Sequence, residues 1–457
     1  MAAATERLLM GIYFYPRGGS AHSARAIARE LGTNDFEVTL LSGSRSDLGE
    51  DSRADRFYSG LDLRALDFTP AVRAADPLRY RGPAGTAPIH GSYEDRPGAP
   101  DRVLASFDEE AYELQVEVWA KAMTAAATDG VDALYLHHLT PLNEAAARAL
   151  PEVPVIGHVH GTELLMLEAI EAGPPAGWTH AGEWAERLRR WAAACERIVV
   201  NDSGGLERAA ALLELEEDRF VLIPNGVDPA FAPAPVDRRA HWRRHLVAEP
   251  RGWRPGEGPG SVSYEEEDLA ALEGVVLLAV GRFTEVKRLP VLLEAFAKAK
   301  RRLDRQAALV LIGGHPGEWE GEHPCETIAR TGARDVFLAG WHGHEELPPF
   351  LRAGDLLVHA AVREQFGQVL IEAMACGVPV VAVDRGGPAA IVDDPEDGWL
   401  VEPDVDSLAV AIVAAVEDEA GRRERGRRAR AKALESYSWR QIGAELAEEI
   451  RSGVKVG

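Results

Sequence analysis

Three groups of residues in this chain have the types and spacing that chemistry needs. The first is Glu364 and Glu372, which flank seven residues that include Phe366 and Gly367. Two carboxylates invite comparison with a glycoside hydrolase, one acting as acid and one as base. On a helix, eight steps at about 1.5 Å of rise would separate their backbones by roughly 12 Å and turn them about 80° apart. Hydrolase carboxyl pairs stand about 5 to 9.5 Å apart. The spacing therefore suits two contacts along one extended ligand, or a plain pair of surface glutamates, better than two groups acting on one bond.

The second group is Arg282 and Lys287, in Gly281-Arg282-Phe283-Thr284-Glu285-Val286-Lys287-Arg288. They follow a buried apolar run, 275–280, and precede a helical pattern from Pro290. On such a loop they would present a planar fork and a point charge, the two forms of cation that bind phosphate; the alternative is simple solvation. The third group is His160, in His158-Val159-His160-Gly161-Thr162-Glu163. It stands at the carboxyl end of a strand pattern, 153–159, where a ligand would lie; a core or capping histidine is the alternative. Alternating strand side chains point to opposite faces, so His158 and His160 are not expected to hold one metal together. Glu163 could simply favour the start of the next helix through its dipole. Near the amino end, Pro16-Arg17-Gly18-Gly19-Ser20 joins an apolar run, 8–15, to a helical pattern, 21–31. Such a turn brings N–H groups and a helix N-terminus to one point, where phosphate or sugar hydroxyls can sit. It is neither GxGxxG nor a P-loop, and a tight turn alone would also account for it.

The elements that must position these groups alternate strand, glycine turn and helix, which are the units of a parallel α/β sheet. Strands are expected at 36–41, 133–137, 197–200, 220–223, 308–312, 336–339, 355–359 and 378–383, with a long helix at 108–127. The tail, 405–450, reads as helical, and a helix over 369–376 carries Glu372. In such sheets ligands bind beyond the carboxyl ends of the strands. His315, His323, His342 and His344 read as polar-loop residues with no ligand spacing.

A chain of 457 residues exceeds one ordinary core, so two domains are expected. The formal charge of −23 argues against a nucleic-acid binder and against an electrostatic anchor on anionic lipid, but not against a local basic site. Only six of the positive charges are lysines, which makes Lys287 notable. Cys195, Cys325 and Cys376 are scattered and suggest reduced thiols in a cytoplasmic protein. No run reaches a membrane span, and the first apolar run is too short for a signal peptide. Residues 43–106, rich in Arg, Asp, Gly and Pro, read as a long excursion, either an acceptor-binding flap or a surface insertion.

Taken together, Gly18-Gly19, His160-Gly161-Thr162, Ile223-Pro224-Asn225-Gly226-Val227-Asp228, Gly281-Arg282 with Lys287, and Glu364-Gln365-Phe366-Gly367 with Glu372-Ala373 resemble glycosyltransferase family 4. The resemblance covers nearly the whole chain and is strongest from Asn225 onward. One departure is His359-Ala360-Ala361-Val362-Arg363, where the family often has Pro-Ser. The resemblance implies the GT-B fold, an α/β architecture of two Rossmann-like domains whose parallel sheets face each other across a cleft. An acceptor domain would span 1–232, a linker 233–272, a nucleotide-sugar domain 273–435, and a helix crossing back to the first domain 436–457. It implies a retaining hexosyltransferase that moves a hexose from a nucleoside diphosphate sugar to an acceptor hydroxyl. Arg282 and Lys287 would bind the diphosphate, with backbone N–H groups around Phe366 and Gly367. Glu364 would hold sugar hydroxyls, Glu372 the ribose, Gly19 would approach the phosphates, and His160 would contact the sugar near the reacting carbon. The departing phosphate would assist deprotonation of the acceptor, so neither a metal nor a cofactor is expected. The acceptor could be a small molecule, a glycan or a lipid; base, sugar and oligomeric state stay open. A sugar-nucleotide epimerase and a non-catalytic nucleotide-sugar-binding subunit are the alternatives.

Overall fold

Uninterrupted runs of Val, Ile, Leu and Ala form most of the strands, because a parallel strand is covered by helices on both faces. The computed structural model describes residues 5–16, 18–95 and 100–454, which excludes Arg17 of the first turn. The chain forms two units, one of Met1–Asn225 with Trp439–Gly457, the other of Gly226–Ser438.

The first unit contains β1 (Glu6–Ile12), β2 (Phe36–Ser44), β3 (Asp62–Asp67), β4 (Ala133–His137), β5 (Val155–His158), β6 (Arg197–Val200) and β7 (Phe220–Leu222). They form one parallel sheet in the order β3-β2-β1-β4-β5-β6-β7. The second unit contains β8 (Val275–Val280), β9 (Ala307–Ile312), β10 (Val336–Gly340), β11 (Leu356–His359), β12 (Val380–Val383) and β13 (Gly398–Val401). These are also all parallel, in the order β10-β9-β8-β11-β12-β13. Strand order reverses between β1 and β4 in the first unit, and between β8 and β11 in the second. At such a point the connections leave in opposite directions and open a crevice beyond the carboxyl ends.

The last helix, Trp439–Val454, buries Trp439, Ile442, Leu446 and Ile450 in the first unit, beside Leu8, Met10 and Ile27. Arg451 ties it to Glu6 at 2.9 Å. Among the described residues no helix is long and apolar enough to cross a membrane.

Two stretches are more ordered than their composition suggests. The excursion 43–106 is not a plain surface insertion: it supplies edge strand β3, and Phe68, Ile89 and Leu104 join the core. Tyr93 donates to the Leu139 carbonyl at 2.7 Å, and Gln115 to that of Ile89 at 2.7 Å. Its apolar residues come singly rather than in runs, which hides them from a periodicity argument. Residues 233–272, whose composition suggests a linker, pack as part of the second unit. Trp242 and Trp253 are fully buried, Trp253 donates to the Gly314 carbonyl at 2.7 Å, and Arg238 pairs with Asp355 at 2.9 Å.

Two of the four histidines read as loop residues are in fact buried. His323 accepts from the Cys325 amide and caps the helix Pro324–Thr331, while His342 packs against Phe350 with His241 and His245 nearby. Burial is the main force on His241 and His342 and pushes their pKa from 6.5 to about 3 and about 4. Between pH 6.5 and 4 the unfolded chain takes up protons that these folded histidines refuse, so stability falls as pH drops through that window. Urea denaturation should show this loss, with a slope smaller by up to about one proton in His342→Gln; an unchanged slope would contradict the assignment.

Candidate functional site

In the second unit, the two strands flanking the reversal carry the site. β8 ends at Val280, and Gly281 leads through Arg282 into the turn Glu285–Lys287. β11 ends at His359 and leads through Glu364 to Gly367, which caps the helix Gln368–Ala375 with φ 100. Lys287 folds back so that its Nζ bonds Glu364 Oε2. His359 Nε2 lies 3.3 Å from the same oxygen. Burial opposes ionisation of Glu364, but Lys287 and His359 outweigh it and hold the carboxyl well below the usual carboxylate range. Arg282 is exposed and has no carboxylate partner among the described residues.

Glycines let the backbone segments beneath these groups touch. Gly313 has φ 122, and a side chain on it would lie 2.1 Å from the Gly281 carbonyl oxygen. Side chains on Gly386 and Gly387 would lie 2.6 Å from the Glu364 carbonyl oxygen and 2.2 Å from that of Phe366. The Gly387 amide donates to the Glu364 carbonyl at 3.0 Å. The Phe366 ring turns inward against Tyr437 at 5.8 Å, which leaves its backbone at the rim.

Of the two glutamates only Glu372 is helical. It is almost wholly buried, and its Oε1 meets His344 Nε2 at 2.7 Å. The structure therefore brings Lys287 and Glu364 together, places Arg282 on the same loop as Lys287, and sets Glu372 one helix further on with its own partner. His359 and His344 were not singled out from sequence. The signal for His359 was its place at a strand end, where the motif departs from the usual pattern; His344 gave none.

In the first unit, Gly18 has φ 77, a conformation that favours glycine, and the helix Gly19–Thr33 starts at once. The space beside Gly19 is open, with no atom within 4 Å of where a side chain would begin. β4 ends at His137 and β5 at His158, and the chain turns at Gly161, φ 92, into the helix Thr162–Glu171. The expectation that His158 and His160 point to opposite faces fails, because the strand stops at His158 and its alternation stops with it. Their rings stack at 4.0 Å, and His137 stacks on His160 at 5.2 Å. Ligand-type nitrogens of His137, His158 and His160 come within 4.8 Å of one another. The rings lie within 22° to 34° of parallel.

Four of the ring nitrogens are engaged in hydrogen bonds, while His137 Nε2 is buried with no partner among the described residues. His137 Nδ1 meets His160 Nε2 at 2.9 Å. His158 Nδ1 meets the Tyr135 hydroxyl at 2.9 Å, and its Nε2 meets the Asn201 amide at 3.1 Å. Asn201 donates onward to the Ile223 carbonyl and to Asn225 Oδ1, both at 3.3 Å, and Ser23 donates to Asn225 Oδ1 at 2.9 Å. Burial pushes His137 and His160 well below the ordinary imidazole range and His158 to about 3, so all three are neutral near pH 7. Glu163 stands in the first turn of the helix Thr162–Glu171, where its charge can meet the helix dipole as expected, and it is fully buried. It accepts from His138 Nδ1 at 2.9 Å, the Thr162 hydroxyl at 3.2 Å and the His160 amide at 3.4 Å. Burial raises its pKa, but His138 and these bonds outweigh burial and hold it below the usual value. His138 itself has φ 66, a strained setting of the kind kept at functional sites.

Two parallel sheets of reversed strand order, with anion-suited loops at their carboxyl ends, are the architecture of GT-B glycosyltransferases. The family model "Glycosyltransferase Family 4" matches residues 17–231, and "Glycosyl transferases group 1" matches 264–432. This chain belongs to glycosyltransferase family 4. An uncharacterised glycosyltransferase of Methanocaldococcus jannaschii is 25% identical over 345 residues, 75% of this chain and 81% of that one. The D-inositol 3-phosphate glycosyltransferase of Salinispora arenicola is 31% identical over 221 residues, 46% of this chain and 44% of that enzyme. Anabaena HepE, solved in complex with UDP and glucose, shares the fold with a TM-score of 0.67 at 18% identity, covering 98% of this chain and 100% of that one.

The Asn201 amide closes the buried chain from His158 to Ser23. Asn201→Ala leaves His158 Nε2 and Asn225 Oδ1 without that partner and should cost about 1–3 kcal/mol of stability in urea unfolding. A loss under about 0.5 kcal/mol would mean the chain is not satisfied in the way described.

Proposed function

We propose that this protein is a retaining hexosyltransferase that uses a nucleoside diphosphate sugar, transferring the hexose to an acceptor hydroxyl. The observation that carries the reading is the arrangement at the second unit's strand reversal. Arg282 stands free of carboxylates and Lys287 is held against Glu364, on the two loops that follow β8 and β11. A diphosphate would take Arg282 as a fork and draw Lys287 from Glu364, which releases the Glu364 carboxylate for sugar hydroxyls. Backbone N–H groups at Phe366 and Gly367 and the helix end behind them would add to the phosphate site. Glu372 takes the ribose, the backbone at Gly19 approaches the phosphates, and His160 contacts the sugar near the reacting carbon. Because burial keeps His160 neutral, it serves as a hydrogen-bonding partner rather than a charged acid.

In the reaction the bond from anomeric carbon to phosphate oxygen breaks, and the acceptor oxygen bonds that carbon on the same face. The acceptor proton passes to the departing phosphate. Charge builds on the diphosphate as it leaves, and preplaced cations and N–H donors stabilise it where it forms. This chemistry calls for no metal or cofactor of its own. The relatives' names support small hydroxylated acceptors and the UDP-glucose type of donor without fixing either for this chain. Three free thiols, two of them buried, accord with a cytoplasmic setting.

The test is nucleotide release from UDP-, ADP-, GDP- and TDP-sugars without acceptor and with chelator present. One donor should release nucleotide slowly. Lys287→Ala and Arg282→Ala should each lower turnover about 100- to 1000-fold. Arg282→Ala should leave the Tm unchanged, since Arg282 anchors nothing. Glu364→Gln should be nearly inactive. Near-normal turnover in both cation variants would overturn the reading, and binding of a donor without release under any acceptor would favour a binding subunit.

A further inference from the structure

Glu372 is held by a partner that comes from another part of the second unit. Its carboxylate is 2% exposed, and Oε1 lies 2.7 Å from Nε2 of His344. His344 opens the turn His344–Glu346 after β10, and its ring packs against Phe231 at 5.0 Å. The neighbouring carboxylate, Glu346, is occupied elsewhere, accepting from Arg251 at 2.9 Å and from the Gly343 amide at 3.0 Å. A carboxylate only accepts, so the bonded Nε2 carries the proton and Nδ1 does not need to. His344 is the one side chain hydrogen-bonded to Glu372 among the described residues.

We propose that His344 is a positioning residue for Glu372, locking the carboxylate rotamer that receives ribose hydroxyls. The inference rests on the ribose reading of Glu372 given above. A glutamate side chain turns about three torsions, and ordering it at the moment of binding would subtract from affinity. The imidazole does that ordering in advance. It takes one lone pair of Oε1 and leaves the carboxylate's negative charge and its remaining lone pairs to accept O–H groups. A lysine in the same place would hold the oxygen as well but would neutralise the charge that makes these bonds strong.

The measurement is calorimetric affinity for UDP, ADP and GDP, each as the ribonucleotide and as its 2′,3′-dideoxy form, on wild type, His344→Leu, His344→Gln and Glu372→Ala. Wild type should prefer the ribo form of its favoured nucleotide by about 10- to 100-fold, the scale of hydrogen bonds to a charged group. Glu372→Ala should bring that ratio near one. His344→Leu should cut the ratio about 10-fold while leaving the dideoxy affinity unchanged, and His344→Gln, whose amide N–H can reach the same oxygen, should restore most of it. A role in folding alone would weaken both forms equally, and that result, or a wild-type ratio in His344→Leu, overturns the proposal. If His344→Leu does not fold, His344→Gln is compared with His344→Asn, one methylene shorter; equal ratios overturn it. A wild-type ratio in Glu372→Ala, or no binding of any nucleotide, overturns the ribose reading and the inference with it, and is distinguished by that variant or by the wild type itself.

Discussion

The groups at the rim of the second sheet depend on carbonyl oxygens resting where side chains would begin. Gly313 sits on the Gly281 carbonyl, Gly340 on that of Arg251, and Gly386 and Gly387 on those of Glu364 and Phe366. Any Cβ at these places would collide at 2.1 to 2.6 Å with backbone, which cannot swing aside as a flexible side chain can. These contacts fix how closely the loop after β9 approaches that after β8, which carries Lys287, and how closely the loop after β12 approaches that after β11, which carries Glu364. The chemistry-bearing side chains are few; the precision of their placement is a property of the main chain under them.

The two units treat buried charge differently. In the second, a partly buried carboxylate is kept ionised by a lysine and a histidine. In the first, burial removes charge from His137, His158 and His160; His137 bonds His160, His158 bonds the Asn201 amide, and Asn201 donates on to Asn225 Oδ1. Beside them the buried Glu163 is held below the usual carboxylate range by its bonds to His138 and to the Thr162 and His160 donors.

Much of the fold was legible because buried parallel strands are apolar throughout. The runs at 133–137, 197–200 and 275–280 coincide with β4, β6 and β8. Strand β3, Asp62–Asp67, was not legible, since an edge strand with three exposed positions reads Asp-Leu-Arg-Ala-Leu-Asp, like loop. The second unit's motif residues stood out by type and spacing. Their partners did not: Lys287 reaches Glu364 through the sheet order, which brings β11 beside β8, His344 reaches Glu372 from the turn after β10, and His359 turns back on Glu364 within one loop. The histidines at the end of β5 were misjudged for a simpler reason, since period-two alternation holds only while the strand lasts.

The Lys287–Glu364 pair has one more consequence, for encounter. With Lys287 paired to Glu364, the two charges largely cancel toward an approaching anion, on a chain whose formal charge is −23. Beyond about 8 Å, the screening length at physiological salt, the chain's net charge is largely screened; within it the surplus of carboxylates opposes an anion. On the proposed reading, attraction is confined to short range, where the lysine would exchange the glutamate for the anion. Salt, which slows the meeting of opposite charges, would here lower the outer barrier while weakening the final grip, so that arrival and residence respond to ionic strength in opposite senses.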